Sequence, residues 1–306
     1  MEAIFPIGVT DAMVVANTIA EPDTAAGEQV WDPETPYVAD ERVIRLETHR
    51  VYRCLTPGTN ATPPEDAPTR WDDERPTNAW AWADQVSDTQ TVADGTWSIT
   101  VAGVAVSEIG LMKLTNVDEI HVETWAEEGG ELTEDRLLST EEYSGTDPEW
   151  DFWFGEPRQG DRVVLFDLPP SLAGVVRVTL SSYDGEQLGV GLVGFGQAQA
   201  MGRATMDYST KHRNFARIRE DDYGNTTIRR GKTAKDIAGE NIIDIDDANA
   251  VEAFLADHID QPGIHIPSRA IEHRFLITYG LGEGELSPVP NAPRQVRLRH
   301  SVRGLI

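Results

Sequence analysis

Between residues 76 and 195, apolar and polar positions alternate in one short run after another. Trp97, Ile99 and Val101 alternate with Ser98, Thr100 and Ala102, and Ile120, Val122 and Thr124 alternate with His121, Glu123 and Trp125. A period of two puts one face of an extended chain into a core. DRVVLFDLP and GVVRVTLSSYDGEQLGVGLVGFG continue the series, with SYDGEQ read as a hairpin turn. Strands at short spacing without a long helical pattern predict an antiparallel β-sandwich over 76–195. The acid-rich stretch from Glu123 to Trp153 reads as an excursion over the surface of that sandwich.

The flanks have other patterns. Residues 1–30 carry an apolar stretch from Ile4 to Val15, then a small polar run, and read as an N-terminal arm. In residues 31–71, Val43, Ile44 and Leu46 lead into Val51, Tyr52 and Leu55, which predicts two short strands before the loop TPGTNATPPEDAP. Residues 1–75 thus read as a small β module with its arm. After residue 196, RATMDYSTKHRNFARIREDDYGNTTIRRGKTAKDIAG carries nine Lys/Arg and fits a long hairpin around Asp222-Tyr223-Gly224-Asn225. Asp246 or Asp247 is expected to cap a helix with Val251, Phe254, Leu255 and Ile259 on its apolar side, ended by Gln261-Pro262-Gly263. IHIPS, HRFLITYGLG and QVRLRHSVRGLI follow as strands. Residues 196–306 then form an α+β domain with one main helix, and the chain as a whole is mainly β.

Charge and tryptophan sharpen this division. Residues 1–200 hold 37 acidic and 11 basic residues, a net of −26, whereas residues 201–306 hold 15 of each. All eight tryptophans lie between Trp31 and Trp153. The acidic part repels nucleic-acid phosphates. Lys113, Lys211, Lys232 and Lys235 are the only lysines against 22 arginines, a balance that suits either a salty medium or a GC-rich genome. Cys54 is the only cysteine, so an intrachain disulfide and a cysteine zinc site are excluded. No run of apolar residues is long enough to span a bilayer. The first residues, MEAIFPIGV, lack a basic n-region, and no secretory leader is expected.

Catalytic chemistry is hard to find. GVGLVGFGQAQAMG lacks the Gly-Lys-Ser/Thr of a P-loop and reads as a glycine-weakened strand pair. There is no Gly-x-Ser-x-Gly and no His-Glu-x-x-His, and the seven histidines are scattered. Asp244-x-Asp246-Asp247-x-Asn249 has the oxygen donors of a calcium loop but not its glycine and distal glutamate; a helix N-terminus rich in acids explains it as well. Nothing singles out a carboxylate pair for sugar cleavage. No enzyme activity, cofactor or metal is therefore expected. Exposed tryptophans can stack on sugar rings, or they can fill the cores of small domains. Trp80 and Trp82, at i and i+2, would share a strand face. The basic run between Arg203 and Lys235 could meet nucleic acid, but its own acidic residues favour the acidic part of a neighbouring subunit. Arg213, Arg217, Arg219, Arg229, Arg230 and Lys232 are the expected assembly face.

Three strings in order, VYRCLTPGTNATPPEDAPTRW, PTNAWAWADQVSDTQT and DYSTKHRNFARIREDDYGNTTIRRG, resemble a family of tailed-bacteriophage virion proteins of the tail tip. Pro76, Thr77, Asn78, Trp80, Asp84 and Thr89-Gln90-Thr91 match its Pro-Thr-Asn box, with Trp82 and Ala83 where Met and Phe are usual. Asp207, Tyr208, Ser209 and Lys211 match a second string, and Tyr223 to Thr227 a third. The resemblance spans residues 40–306. It implies a structural component of a tail tip or baseplate, assembled in the host cytoplasm into the distal tail of the virion. It also implies tail proteins as partners, a homo-oligomeric ring and contact with host glycan, without nucleic acid or membrane insertion. The first string is also similar to small chitin- or cellulose-binding modules, with Trp31, Tyr52 and Trp71 as the equivalents. That similarity makes Trp31, Tyr52, Trp71, Trp80 and Trp82 the candidate glycan-stacking set, and a carbohydrate- or receptor-binding module the alternative function.

Overall fold

The computed structural model describes every residue except 87, 143–157, 170–173, 206, 221–225, 291 and 306. The protein is mainly β, built from antiparallel sheets, with one α-helix among the described residues. None of its described helices is long and apolar enough to cross a membrane.

The chain divides into two compact units. One comprises residues 8–106 and 111–193; the other comprises 1–7, 107–110 and 194–306. The boundary expected near residue 195 falls close to the second unit's main segment. The boundary expected near 75 falls inside the first unit.

In the first unit the alternating segments form a five-stranded sheet in the order Leu132–Ser139, Glu119–Trp125, Gly174–Ser181, Thr96–Val104, Val14–Asn17. Val178 sits opposite both Ile99 and Val122, and all three are buried. Two expectations fail in this region. The acid-rich excursion is in its first half largely a strand, because Leu132–Ser139 pairs with Glu119–Trp125; Glu141–Glu142 pairs with Arg158–Gln159, and residues 143–153 lie outside the described residues. SYDGEQ is not a hairpin turn. It holds a 3-10 turn at Tyr183–Gly185, and the strand that follows, Gln187–Val190, pairs with Thr91–Asp94 instead of with Gly174–Ser181.

The expected pair of short strands forms as Arg42–Arg45 and Arg50–Cys54, joined by a third, Trp71–Pro76. Leu46 and Leu55 fall outside these strands and are exposed. The Pro-rich loop contains a 3-10 turn at Pro64–Asp66.

The second unit is an eight-stranded sheet. Its order is Ala198–Ala200, Glu2–Ile4, Pro262–Ile266, Thr278–Pro288, Gln295–Gly304, Thr233–Asp244, Arg203–Ala204, with Ser209–Asn214 also on Thr233–Asp244. The N-terminal stretch is therefore not an arm: Glu2–Ile4 is an internal strand, with Ala3 between Gln199 and His265. HRFL is a 3-10 segment, Ile271–Leu276, and not part of a strand.

The helix runs Ile245–Asp257 and packs on the sheet through Val251, Phe254 and Leu255 against Ala3, Ile243 and Leu298. Its cap is Asp244, whose carboxylate accepts from the Asp246 amide at 3.2 Å; Asp246 and Asp247 lie in the first turn, where acids favour the helix dipole. The helix stops at Asp257, so Ile259 is exposed and Pro262-Gly263 open the next strand instead of ending the helix.

Candidate functional site

Of the five aromatic residues expected to stack on sugar, Tyr52, Trp71 and Trp82 are in cores, and Trp31 and Trp80 are half-buried. Tyr52 and Trp71 are buried with Tyr37, Val43 and Cys54, and Tyr37 meets Trp71 edge-on at 5.2 Å. Trp31 packs against that cluster, with the Arg45 guanidinium 5.0 Å above its ring. Trp80 and Trp82 do not share a strand face, because a 3-10 turn, Ala81–Ala83, holds Trp82 and is preceded by Trp80. Trp82 is fully buried against Trp97 and donates its indole N–H to the Ala79 carbonyl at 2.9 Å. Trp80 is half-buried and stacks on His49 at 4.1 Å. A sugar ring needs an open aromatic face. Tyr52, Trp71 and Trp82 offer none, so the five residues form no glycan platform. Small domains with few large aliphatic residues fill their cores with aromatics instead.

The Pro-Thr-Asn box is a hydrogen-bonded knot. Buried Asn78 donates to the Asp23 carboxylate at 2.7 Å and to the Val92 carbonyl at 2.9 Å, and accepts from the Val92 amide at 2.8 Å. Its own amide donates to Glu28 at 2.9 Å. Thr77 donates to Glu21 at 2.6 Å; Thr91 donates to the Asn78 carbonyl at 2.7 Å and accepts from the Trp82 amide at 3.0 Å. Asp84 takes a bond from Thr89 at 2.7 Å, and burial raises its pKa. Gln90 reaches the Lys113 carbonyl at 2.6 Å. Thr77, Asn78 and Gln90 thus close connections between segments distant in sequence, whereas the Asp84–Thr89 bond is local. His49, in a left-handed turn (φ 54°), joins the same region by bonding Glu21 at 2.7 Å and Asp11 at 2.8 Å. That contact has no signature in the sequence, since Asp11 and Glu21 lie 38 and 28 residues away.

The second string serves the other unit in the same way. The Tyr208 hydroxyl donates to the buried Asn241 side chain at 2.8 Å, and burial pushes the phenol up to about 12. Its ring lies flat on Gly239, where a Cβ would come within 2.5 Å of it, so only glycine fits.

His265 and His300 sit 5.0 Å apart in this unit, both buried, and none of their four ring nitrogens has a partner in hydrogen-bond geometry among the described residues. Burial, then the neighbouring His300, lowers His265 to about 3; the nearby Gly280 carbonyl works weakly the other way. Burial, then the Met1 ammonium, lowers His300 to about 4. Both are neutral imidazoles at any ordinary pH.

The calcium-like string is occupied by protein. Asp244 caps the helix, and Arg294 reaches Asp246 at 2.6 Å and Asp244 at 3.6 Å. Among the described residues, no group of three or more His, Cys, Asp or Glu side chains is placed to hold a metal ion. An open groove of about 660 Å³ crosses the eight-stranded sheet and is lined by Asp207, Glu240, Glu283, Glu285 and Arg299. Arg297 and Arg299 hold Glu240 at 3.3 and 3.1 Å.

The expected assembly face divides. Arg213 is a brace, bonded to Asp236 at 2.7 Å and to the Gly304 carbonyl at 2.7 Å, and half-buried. Arg217, Arg219, Arg229, Arg230 and Lys232 are exposed. The hairpin forms as expected, Arg217–Glu220 against Thr226–Arg229, with its tip outside the described residues. Ile218 and Ile228 face each other across it and are 71% and 64% exposed. Sequence reasoning listed the arginines but missed this isoleucine pair, which a period-two reading of RIRE and TTIR would have found.

Fold and surfaces together define a mainly β protein of two units that exposes a basic and apolar ribbon, Arg217–Glu220 with Thr226–Arg229. No protein-family model matches the chain, and neither the curated proteins nor the solved structures contain a match to it.

Proposed function

We propose that the chain is a structural component of a bacteriophage tail tip or baseplate, working by assembly with other subunits and without catalysis. The observation that carries this reading is the ribbon of Arg217–Glu220 and Thr226–Arg229, which exposes an isoleucine pair and three arginines that make no ion pair among the described residues. A two-stranded ribbon with nothing beneath it is marginally stable in water. A chain that keeps one gains from it only when a partner covers it. The ordered strings of the resemblance support the same reading, since their described polar residues are bonded within each unit. The burial of Tyr52, Trp71 and Trp82 weighs against a glycan-binding module as the main role.

The test is negative-stain imaging of purified virions with an antibody against this chain. Label at the distal end of the tail is the expected result. Intact virions that carry no label would overturn the proposal.

A further inference from the structure

The ribbon has two chemically different faces. Alternation along Arg217–Glu220 and Thr226–Arg229 puts Arg217, Arg219 and Arg229 on one side and Ile218 with Ile228 on the other. Arg217 lies directly opposite Arg229, and like charges in that position repel. At the ribbon's base, Phe215, Arg217, Arg229 and Arg230 enclose a concavity of about 210 Å³, the size and charge for carboxylate side chains. Gly231 makes the bend there: a Cβ on it would come within 2.3 Å of the Phe215 backbone. The ribbon thus lacks two things, carboxylates for the arginine face and an apolar surface for the isoleucines.

The first unit exposes both in one place. The turn that precedes the edge strand Leu132–Ser139 carries Glu127, Glu128 and Glu131, all exposed and without an ion pair among the described residues. The strand itself exposes Leu132 and Leu137, at 47% and 64%. An edge strand with exposed leucines is a docking surface for another chain.

We propose that the basic ribbon of one copy docks on the acidic turn Glu127–Glu131 and the adjoining edge strand of a second copy. The contact is head to tail, so repetition closes a ring or extends a filament. A second copy is the occupant because the acidic complement is this chain's own: residues 1–200 hold the whole net charge of −26. This inference rests on the structural reading above and names the partner of its carrying feature.

The test uses the full chain, with mass measured by light scattering after gel filtration. Wild type is expected to be oligomeric at about 0.1 M salt and monomeric at about 1 M, where screening is complete within a few ångströms. R217E/R219E/R229E and E127K/E128K/E131K should each weaken self-association at least about a hundredfold, since like charges then meet. The changed residues are all exposed, so urea midpoints should stay near the wild-type value. Mixing the two variants should restore a complex, because the reversed charges match across the contact. A monomeric wild type at low salt overturns the inference, as does an oligomer that survives both reversals, or a mixture of variants that does not associate. Loss of binding to duplex DNA in the arginine variant with unchanged mass would also overturn it and reassign the ribbon to nucleic acid. The two proposals fail separately. Tail-tip label with a monomeric chain sinks only the docking, and salt-sensitive oligomers absent from virions sink only the tail-tip role.

Discussion

The buried histidines make the protein's stability fall steeply in mild acid. His265 and His300 ionise at about 3 and about 4 in the fold, against an ordinary histidine value of 6.5. The folded state therefore binds their protons less readily than the unfolded state does. Their contribution is fully present above pH 6.5 and is lost as pH falls from there toward 4 and then 3. At pH 5 each histidine is charged in the unfolded chain and neutral in the fold. The interval of about 1.5 pH units at ~1.36 kcal/mol per unit gives about 2 kcal/mol each, or about 4 kcal/mol together. That is a large share of the ~5–15 kcal/mol by which domains are stable. Carboxylates held by arginines, such as Glu74 beside Arg42, lose their contribution at lower pH, because their ordinary range already lies near 4.5.

The assay is urea unfolding at pH 7 and pH 5 for wild type, H265L and H300L. The quantity read is the difference between the two pH values within each protein, so a variant's own loss or gain in stability cancels. Wild type should lose about 4 kcal/mol and each single variant about 2. NMR of the imidazole Cε1–H groups in the native state should show two histidines whose shifts stay flat from pH 7 to 5. Native-state titration of both near 6.5, or an acid loss that neither variant reduces, would refute the reasoning.

Replacing Asn78 by Ala breaks bonds to Asp23 and Val92 and leaves a half-buried carboxylate short of a donor; about 2–4 kcal/mol should be lost in urea melts, with the far-UV spectrum unchanged. Gly239→Ala forces the Tyr208 ring off the sheet and should cost about 1–3 kcal/mol, with a matching rise in hydrogen exchange along Thr233–Asp244. Asp244→Ala removes the helix cap and should cost about 1 kcal/mol, whereas Asp247→Ala should cost less; equal losses would contradict the assignment of the cap. Trp82→Ala should cost about 3–5 kcal/mol, and the same change at half-buried Trp80 clearly less, as thermal melts of the two will show.

Period-two patterns were legible wherever one face of a strand is buried and the other is wet. Glu119–Trp125 is such a strand, with Ile120, Val122 and Thr124 inside. Edge strands escaped for the opposite reason. Leu132–Ser139 buries neither face fully, so its sequence, LTEDRLLS, shows no alternation to read. Glu2–Ile4 escaped because its partners, Ala198–Ala200 and Pro262–Ile266, lie some 200 residues or more along the chain, and three residues carry no period of their own. The cap is Asp244 and neither Asp246 nor Asp247, because three acids in four residues all have the right chemistry, and only backbone conformation selects among them. The ribbon was legible as a charge run. Its second, apolar face is two isoleucines ten residues apart, and they meet only once the register is known.

A residue held in place by several internal bonds is poor material for binding, since a ligand would have to replace those bonds before adding any of its own. Thr77, Asn78, Thr91 and Tyr208 are in that position, each already bonded to a distant segment. They keep the fold, and that alone gives a reason for strings of this kind to recur in proteins that share one. The ribbon is the reverse case. Taking away Arg217, Ile218 or Arg229 removes no buried contact from its own subunit, and the repulsion between the two arginines would even be relieved. Residues whose removal costs the isolated chain little, and whose exposure disfavours it, are the ones the proposed docking uses. The physical division in this protein therefore runs between polar groups that are satisfied within the chain and charged and apolar groups that are not, and the second set is where partners are to be sought.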